Sequence, residues 1–314
     1  MRAASLAIAV VALVAALLVP SAGGRPIKGA PDCPIFPKDN HWNVRVDGLP
    51  VHKRSAAMIR SIGGDEGLHP DFGSGKYRGA RIGIPYTTVR EDQPKVNVKF
   101  QYAGESDKGP YPIPADVPIE GGRQSDGDRH ALIVDRDRCR LYELYALYPP
   151  SGDRGWRAGS GAIWNLRSNK LRPAGWTSAD AAGLAVLPGL ARHEELAKGG
   201  IDHALRFTAE RTRRKYVYPA RHHASDLTSA DLPAMGQRLR LKKSYDISHY
   251  PAQARAVLRA LKRYGMLLAD NGSDWYITGA PSKGWNNDAL HTLGQVKGSA
   301  FEVVDTSSLP KPGG

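Results

Sequence analysis

The stretch "HALIVDRDRCRLYELYAL", residues 130–147, carries most weight for the fold class. "HALIVD" (130–135) and "RLYELYAL" (140–147) each read as a strand, and the polar "RDR" between them reads as a hairpin turn. Upstream, "VNVKFQY" (96–102) alternates, with Val96, Val98, Phe100 and Tyr102 on one face and Asn97, Lys99 and Gln101 on the other. Downstream, "GAIWNL" (161–166), "HALRFT" (203–208), "KYVYP" (215–219), "QRLRLK" (237–242), "DWYITG" (274–279) and "FEVVD" (301–305) add further strands. The clear helix is "YPAQARAVLRALKRYG" (250–265), which starts at Pro251 and stops at Gly265. Its apolar stripe is Ala254, Val257, Leu258, Leu261 and Tyr264. Shorter helices are expected in 52–63 and in 287–294, the latter capped by Asn286 or Asn287. Residues 64–95 are rich in Gly, Pro and charge and read as loop with at most short strands. Short strands, long loops and few helices predict a mainly β chain, an antiparallel β-sandwich or jelly roll.

The first residues set the expected compartment. Met1 and Arg2 precede an apolar run, "AASLAIAVVALVAALLV" (3–19), closed by Pro20 and the small residues "SAGG". That layout predicts a secretory signal peptide over 1–22, with an uncleaved anchor as the rival reading. A Pro-rich extended lead-in over 23–40 and a single β-rich domain over 41–314 then follow. Export permits a disulfide between Cys33 and Cys139, and two buried free thiols are the alternative. No later stretch is apolar enough to span a membrane.

Hydrophobic residues are 41% and charged residues 24%, a globular rather than a disordered composition. The net charge of +13 favours polyanionic partners, which for an exported chain means extracellular polysaccharide. Solubility alone is the plainer explanation. Nothing points to a specific nucleic acid, and the chain is expected to be a monomer. There is no GxSxG, and the two GSG triplets lack the strand–elbow–helix setting, so nucleophilic catalysis has little support; no phosphate loop is present, and no cofactor is expected.

Three histidines sit beside charge near strand ends: Asp128 with His130, Asp202 with His203, and Arg221 with His222 and His223. A neutral histidine can act as base at an acidic sugar while an arginine neutralises its carboxylate and a tyrosine donates a proton. On that logic His203 or His222 is the base, Arg206 the charge neutraliser, and Asp128 and Asp180 the orienter or acid, with His130 in the same site. Hydrolysis instead needs two carboxyl groups, for which Glu120, Glu143, Asp180 and Asp270 are candidates. Glu143 stands among apolar and aromatic neighbours, where burial raises a carboxyl pKa. Arg238 and Arg240 share one strand face with Lys242, which suggests a basic groove. Trp164 and Trp176 suit stacking on sugars, and Arg221 suits a carboxylate. The structural alternatives are hydrogen-bonded histidine spacers, charge-guarded strand edges and tryptophans that plug the core.

These residues predict a polysaccharide-cleaving hydrolase or lyase. The alternatives are a non-catalytic glycan-binding protein and a metal-dependent hydrolase built on the same histidines. No HExxH or other tight ligand spacing is present, so no metal ligand is assigned.

Six segments carry a further signal: "DNHWNVRVDGLPVH" (39–52), "LHPDFGSG" (68–75), "GWTSADAAGLAVLPGL" (175–190), "IDHALRFT" (201–208), "YPARHHAS" (218–225) and "YGMLLADNGSDWYITG" (264–279). Together they resemble a family of secreted bacterial proteins with no established activity. The likeness spans nearly the whole mature chain. It implies export and lends no catalytic residue.

Overall fold

The structure, a computed structural model, describes residues 23–313, so the expected signal peptide lies outside the described residues. Strands make up 25% and helices 15%, which makes the fold mainly β. Ten strands build the two main sheets. In chain order they are β1 (His69–Asp71), β2 (Tyr86–Val89), β3 (Ala131–Asp135), β4 (Arg140–Tyr145), β5 (Ser160–Asn165), β6 (Leu205–Ala209), β7 (Arg238–Leu241), β8 (Met266–Asn271), β9 (Tyr276–Thr278) and β10 (Phe301–Val303).

The smaller sheet runs β2-β3-β4-β5, and the larger runs β1-β9-β6-β8-β7-β10. The purely antiparallel arrangement expected from the sequence is corrected here. β1 and β9, β2 and β3, and β6 and β8 are parallel pairs. Parallel neighbours need long crossovers. The segment between β2 and β3 supplies one, and it carries Val98, Tyr111, Ile113, Val117 and Ile119 onto the sheet as a cover.

The 130–147 hairpin forms as its pattern indicates. β3 and β4 pair antiparallel from Ala131 opposite Leu144 to Asp135 opposite Arg140. Asp135 closes the turn, because its Oδ1 accepts from Asp137 N at 3.1 Å and Arg138 N at 3.0 Å. Alternation along the hairpin then divides the interior in two. Leu132, Val134 and Leu141 face the large core shared with the bigger sheet. Ala131, Ile133, Tyr142 and Leu144 face the smaller core under the 96–119 cover. Burial on both faces is why "ALIV" is continuously apolar.

The helix expected over 250–265 spans Ala252–Arg263, with Ala254, Val257, Leu258 and Leu261 buried. It connects β7 to β8. Asn286 caps the short helix Asn287–His291 by accepting from Ala289 N. The alternating stretch 96–102 is mostly not strand: Lys99–Phe100 pairs with Arg157–Ala158, and Val96 makes a single bridge to Tyr111. Its apolar face still packs, since Val98 is buried in the smaller core and Phe100 lies against it. Cys33 and Cys139 form a disulfide. It ties the 23–40 segment, which also buries Ile27, Ile35 and Phe36, to the hairpin turn. Among the described residues no helix is long and apolar enough to cross a membrane.

Candidate functional site

β6 delivers the centre of the site. Leu205, Phe207 and Ala209 turn to one face, and Arg206 and Thr208 to the other. β8 runs parallel beside it, with Arg206 opposite Leu267 and Phe207 opposite Leu268. A bulge then sets Thr208 opposite Asp270 rather than Ala269. In an unbroken register Asp270 would share the face of Phe207. The extra residue places it on the face of Arg206 instead.

The third member comes from the 175–190 connection. Ser178 closes a tight turn there, accepting from Asp180 N at 2.9 Å. Two buried anchors hold the rest. Glu143 accepts from Val186 N and Leu187 N, each at 2.9 Å, and from Trp164 Nε1 at 3.0 Å. Gly183, at φ 70°, lets the backbone fold back until a Cβ would lie 2.4 Å from the Trp176 carbonyl oxygen. Asp180 is thereby delivered beneath Arg206. Arg206 Nε donates to its Oδ2 and Nη2 to its Oδ1, both at 2.7 Å. This is the bidentate fork that matches a carboxylate. The same Nη2 reaches Asp270 Oδ2 at only 3.3 Å.

The two carboxyls therefore differ. Asp180 is fully buried and held by Arg206. The Asp270 side chain is 22% exposed and borders a cavity of 430 Å³. Burial first, then the neighbouring Asp180, push the Asp270 pKa up to about 8 against the pull of Arg206. Both effects favour the protonated form of Asp270. Burial disfavours the charge on Arg206, but Asp180 outweighs it and raises the guanidinium pKa.

Behind this pair lies a second one. His130 Nδ1 contacts Glu120 Oε2 at 2.6 Å, and Nε2 contacts the Ala179 carbonyl at 2.9 Å. Both contacts are to acceptors, so both ring nitrogens carry hydrogen. Burial opposes that charge, yet Glu120 lifts the His130 pKa to about 9. Burial likewise works against ionising Glu120, but His130 brings its pKa below the usual carboxylate value. The Ala179 contact steadies the peptide just before Asp180. Asp71, at the end of β1, has its pKa raised by burial and then by Glu120.

Of the residues singled out from sequence, Asp128, Asp180 and His222 line the 430 Å³ cavity together with Tyr102, Glu105, Tyr145 and Asp270. His130 and Arg206 lie behind it and hold its wall. His222 Nδ1 donates to the Ala181 carbonyl at 2.9 Å, which leaves Nε2 as the other ring nitrogen. That nitrogen lies 4.0 Å from Glu105 Oε2.

His203 is not brought to this cavity. Its ring lies between its neighbour's carbonyl, Ala204 O at 2.7 Å, and Glu195 at 3.1 Å, beside Arg192. The basic groove expected from Arg238 and Arg240 is also corrected. Arg238 is buried and donates to the carbonyls of Tyr264, His41 and Val44. Arg240 pairs with Glu302 and donates to Val46 O and Leu49 O. Both bind loop backbone because β7 lies inside the sheet, between β8 and β10. Trp164, Trp176 and Arg221 line a different cavity. Glu143 serves as the anchor for the 175–190 connection. Its pKa is raised by burial to about 7 against the hydrogen bonds from Leu187, Val186 and Trp164, and it does not reach the 430 Å³ cavity.

Asp270 and Glu120 were legible as acids, but the role of each rests on a partner distant in sequence. Glu105, Tyr102 and Tyr145 carried no sequence signal. Among the described residues no group of three or more His, Cys, Asp or Glu is arranged to hold a metal ion. No protein-family model, curated protein or solved structure matches the chain.

Proposed function

We propose that this protein is an exported glycan hydrolase that cleaves at a neutral sugar unit in the 430 Å³ cavity. The observation that carries the reading is the placement of Asp270: it borders the cavity, and Asp180 beside it takes both close contacts of Arg206, so burial and that neighbour favour the protonated carboxyl. Such a group protonates a glycosidic oxygen as the C–O bond breaks. His222 Nε2 accepts a proton from the attacking water, and Asp128 and Glu105 are further acceptors on the same wall. Water adds across the bond, its hydroxyl to the sugar carbon and the Asp270 proton to the leaving oxygen. Tyr102 and Tyr145 offer ring faces for stacking on a sugar.

Hydrolysis is favoured over β-elimination by charge. A lyase needs a cation free to neutralise the substrate carboxylate. Arg206 is committed to Asp180 and Asp270, while Glu105 and Asp128 line the cavity and no lysine or arginine does among the described residues. Export is supported by the leader-like start of the sequence, by the resemblance to secreted bacterial proteins and by the disulfide, which needs an oxidising compartment. The test is a panel of neutral and acidic glycans, read for new reducing ends and for unsaturated-sugar absorbance. Reducing ends without unsaturation are expected. Unsaturated products would make the protein a lyase, and binding without either product would make it a glycan-binding protein.

A further inference from the structure

On the far side of the Thr177 wall lies a second cavity, of 690 Å³, with the opposite charge. Arg140, Lys170, Arg172 and Arg221 line it, with Asp107 as the one acidic side chain among the described residues. Asp107 is already occupied, because Arg172 Nη1 donates to its Oδ2 at 2.6 Å. Arg172 forms the floor, with its guanidinium 5.7 Å from the centre of Trp164 and 5.4 Å from that of Trp176. Arg140 and Lys170 are exposed at the rim. Arg221 Nε is buried and has no hydrogen-bond partner among the described residues. The half-buried Trp176 provides an indole beside these cations.

The two cavities share one partition. Arg172 Nε donates to the Thr177 carbonyl at 2.6 Å and Nη2 to the Glu105 carbonyl at 2.7 Å. Thr177 N donates to Glu105 Oε2 at 3.0 Å. Neighbours in sequence fall on opposite sides: Trp176 and Arg221 line the basic cavity, Thr177 and His222 the acidic one.

We propose that the basic cavity is a subsite for the carboxylate of an acidic sugar, so that the substrate glycan carries a neutral unit at the point of cleavage and an acidic unit beside it. This rests on the glycan reading above. Arg221 and Lys170 hold the carboxylate, and Trp176 stacks against the ring. The division of charge explains how a chain with a net charge of +13 can keep an acidic reaction chamber.

The test is calorimetry with the Asp270→Asn protein, which separates binding from turnover. The probes are oligomers of hyaluronan, unsulfated chondroitin and heparosan, in each of which an acidic unit alternates with a neutral one, each compared with its carboxyl-reduced neutral form. At least one acidic oligomer is expected to bind, its reduced form at least about tenfold more weakly. Arg221→Gln is expected to weaken binding about tenfold or more, and the exposed Lys170→Gln to weaken it in the same direction without risk to the fold. Equal affinity for reduced oligomers, indifference to both substitutions, or no binding by any of the three would overturn the proposal. Displacement by inorganic phosphate at equal concentration would make this a bare anion site and overturn it too. If the oligomers bind as stated and the unsubstituted protein cleaves no glycan, the subsite stands and the hydrolase reading fails.

Discussion

Asp180 and Asp270 share the Arg206 guanidinium unequally. Asp180 takes both strong contacts, at 2.7 Å each, and Asp270 is left with one at 3.3 Å. The buried cation thus neutralises one carboxyl. The other borders the cavity, where burial and Asp180 raise its pKa. A one-residue bulge in β8 and a loop anchored by Glu143 create that asymmetry. Two carboxyls in unlike environments are a recurrent way to obtain an acid at neutral pH.

Asp270→Asn tests the proton donor. Activity is expected to fall about 10²-fold or more, because an amide cannot supply the proton. The effect on stability has the opposite sign. The folded carboxyl holds its proton to about pH 8, while the ordinary value is 3.8. The native protein therefore loses stability as pH rises between those values. Asparagine removes that loss, so the variant is expected to melt higher than the parent at pH 9 in a thermal scan.

Removing the shared cation is expected to be severe. Arg206→Met leaves Asp180 buried without its partner, at a cost of about 3–5 kcal/mol. Arg206→Met with Asp180→Asn is expected to recover much of it, since the uncompensated charge is gone. Urea denaturation of the two single variants and the double variant gives the coupling. Additive losses would contradict the pairing.

The Glu120–His130 pair sets a second pH dependence. The His130 pKa is raised to about 9 from an ordinary 6.5, so its stabilisation is complete below 6.5 and disappears as pH rises through 9. The Glu120 pKa is lowered from 4.5, so its share is present above that value and is lost as pH falls. Glu120→Gln is expected to lower stability at pH 6 and to flatten the decline between pH 6.5 and 9. Chemical denaturation at four pH values would show it, and an unchanged slope would count against the pair.

Two histidines that look alike in sequence are expected to behave differently. His222→Ala should reduce turnover with little change in melting temperature, since its ring is half-buried at the cavity. His203→Ala should cost about 1–3 kcal/mol of stability and leave turnover intact, because it strands buried Glu195 and Ala204 O. Full activity in both folded variants would remove histidine from the mechanism.

The disulfide closes 106 residues of chain. Replacing Cys33 and Cys139 by alanine is expected to lower stability by about 2–5 kcal/mol. Unfolding with and without reductant checks it.

The hairpin, the main helix and the mainly β class were legible because each rests on local periodicity or a local stop signal. The parallel pairings were not, since nothing in a strand records which distant strand lies beside it. β8 was missed as a strand: "MLLA" has no alternation when both faces are buried, and it follows a helix directly. The orientation of Asp270 was out of reach for the same reason, because a bulge is a property of two strands together. His203 was partly legible. Alternation along "HALRFT" sets it opposite Arg206, which already separates it from that face. Arg238 and Arg240 misled because a basic strand face reads as exposed, whereas guanidiniums can also satisfy buried loop carbonyls.

The most direct measurement is the titration of the Asp270 carboxyl by carbon NMR, with selectively labelled aspartate and Asp270→Asn for assignment. Titration near pH 8 is the expected result and would leave an acid bordering the cavity at neutral pH. Titration near pH 4 would contradict the account, because Asp270 would then be ionised and have no proton to give.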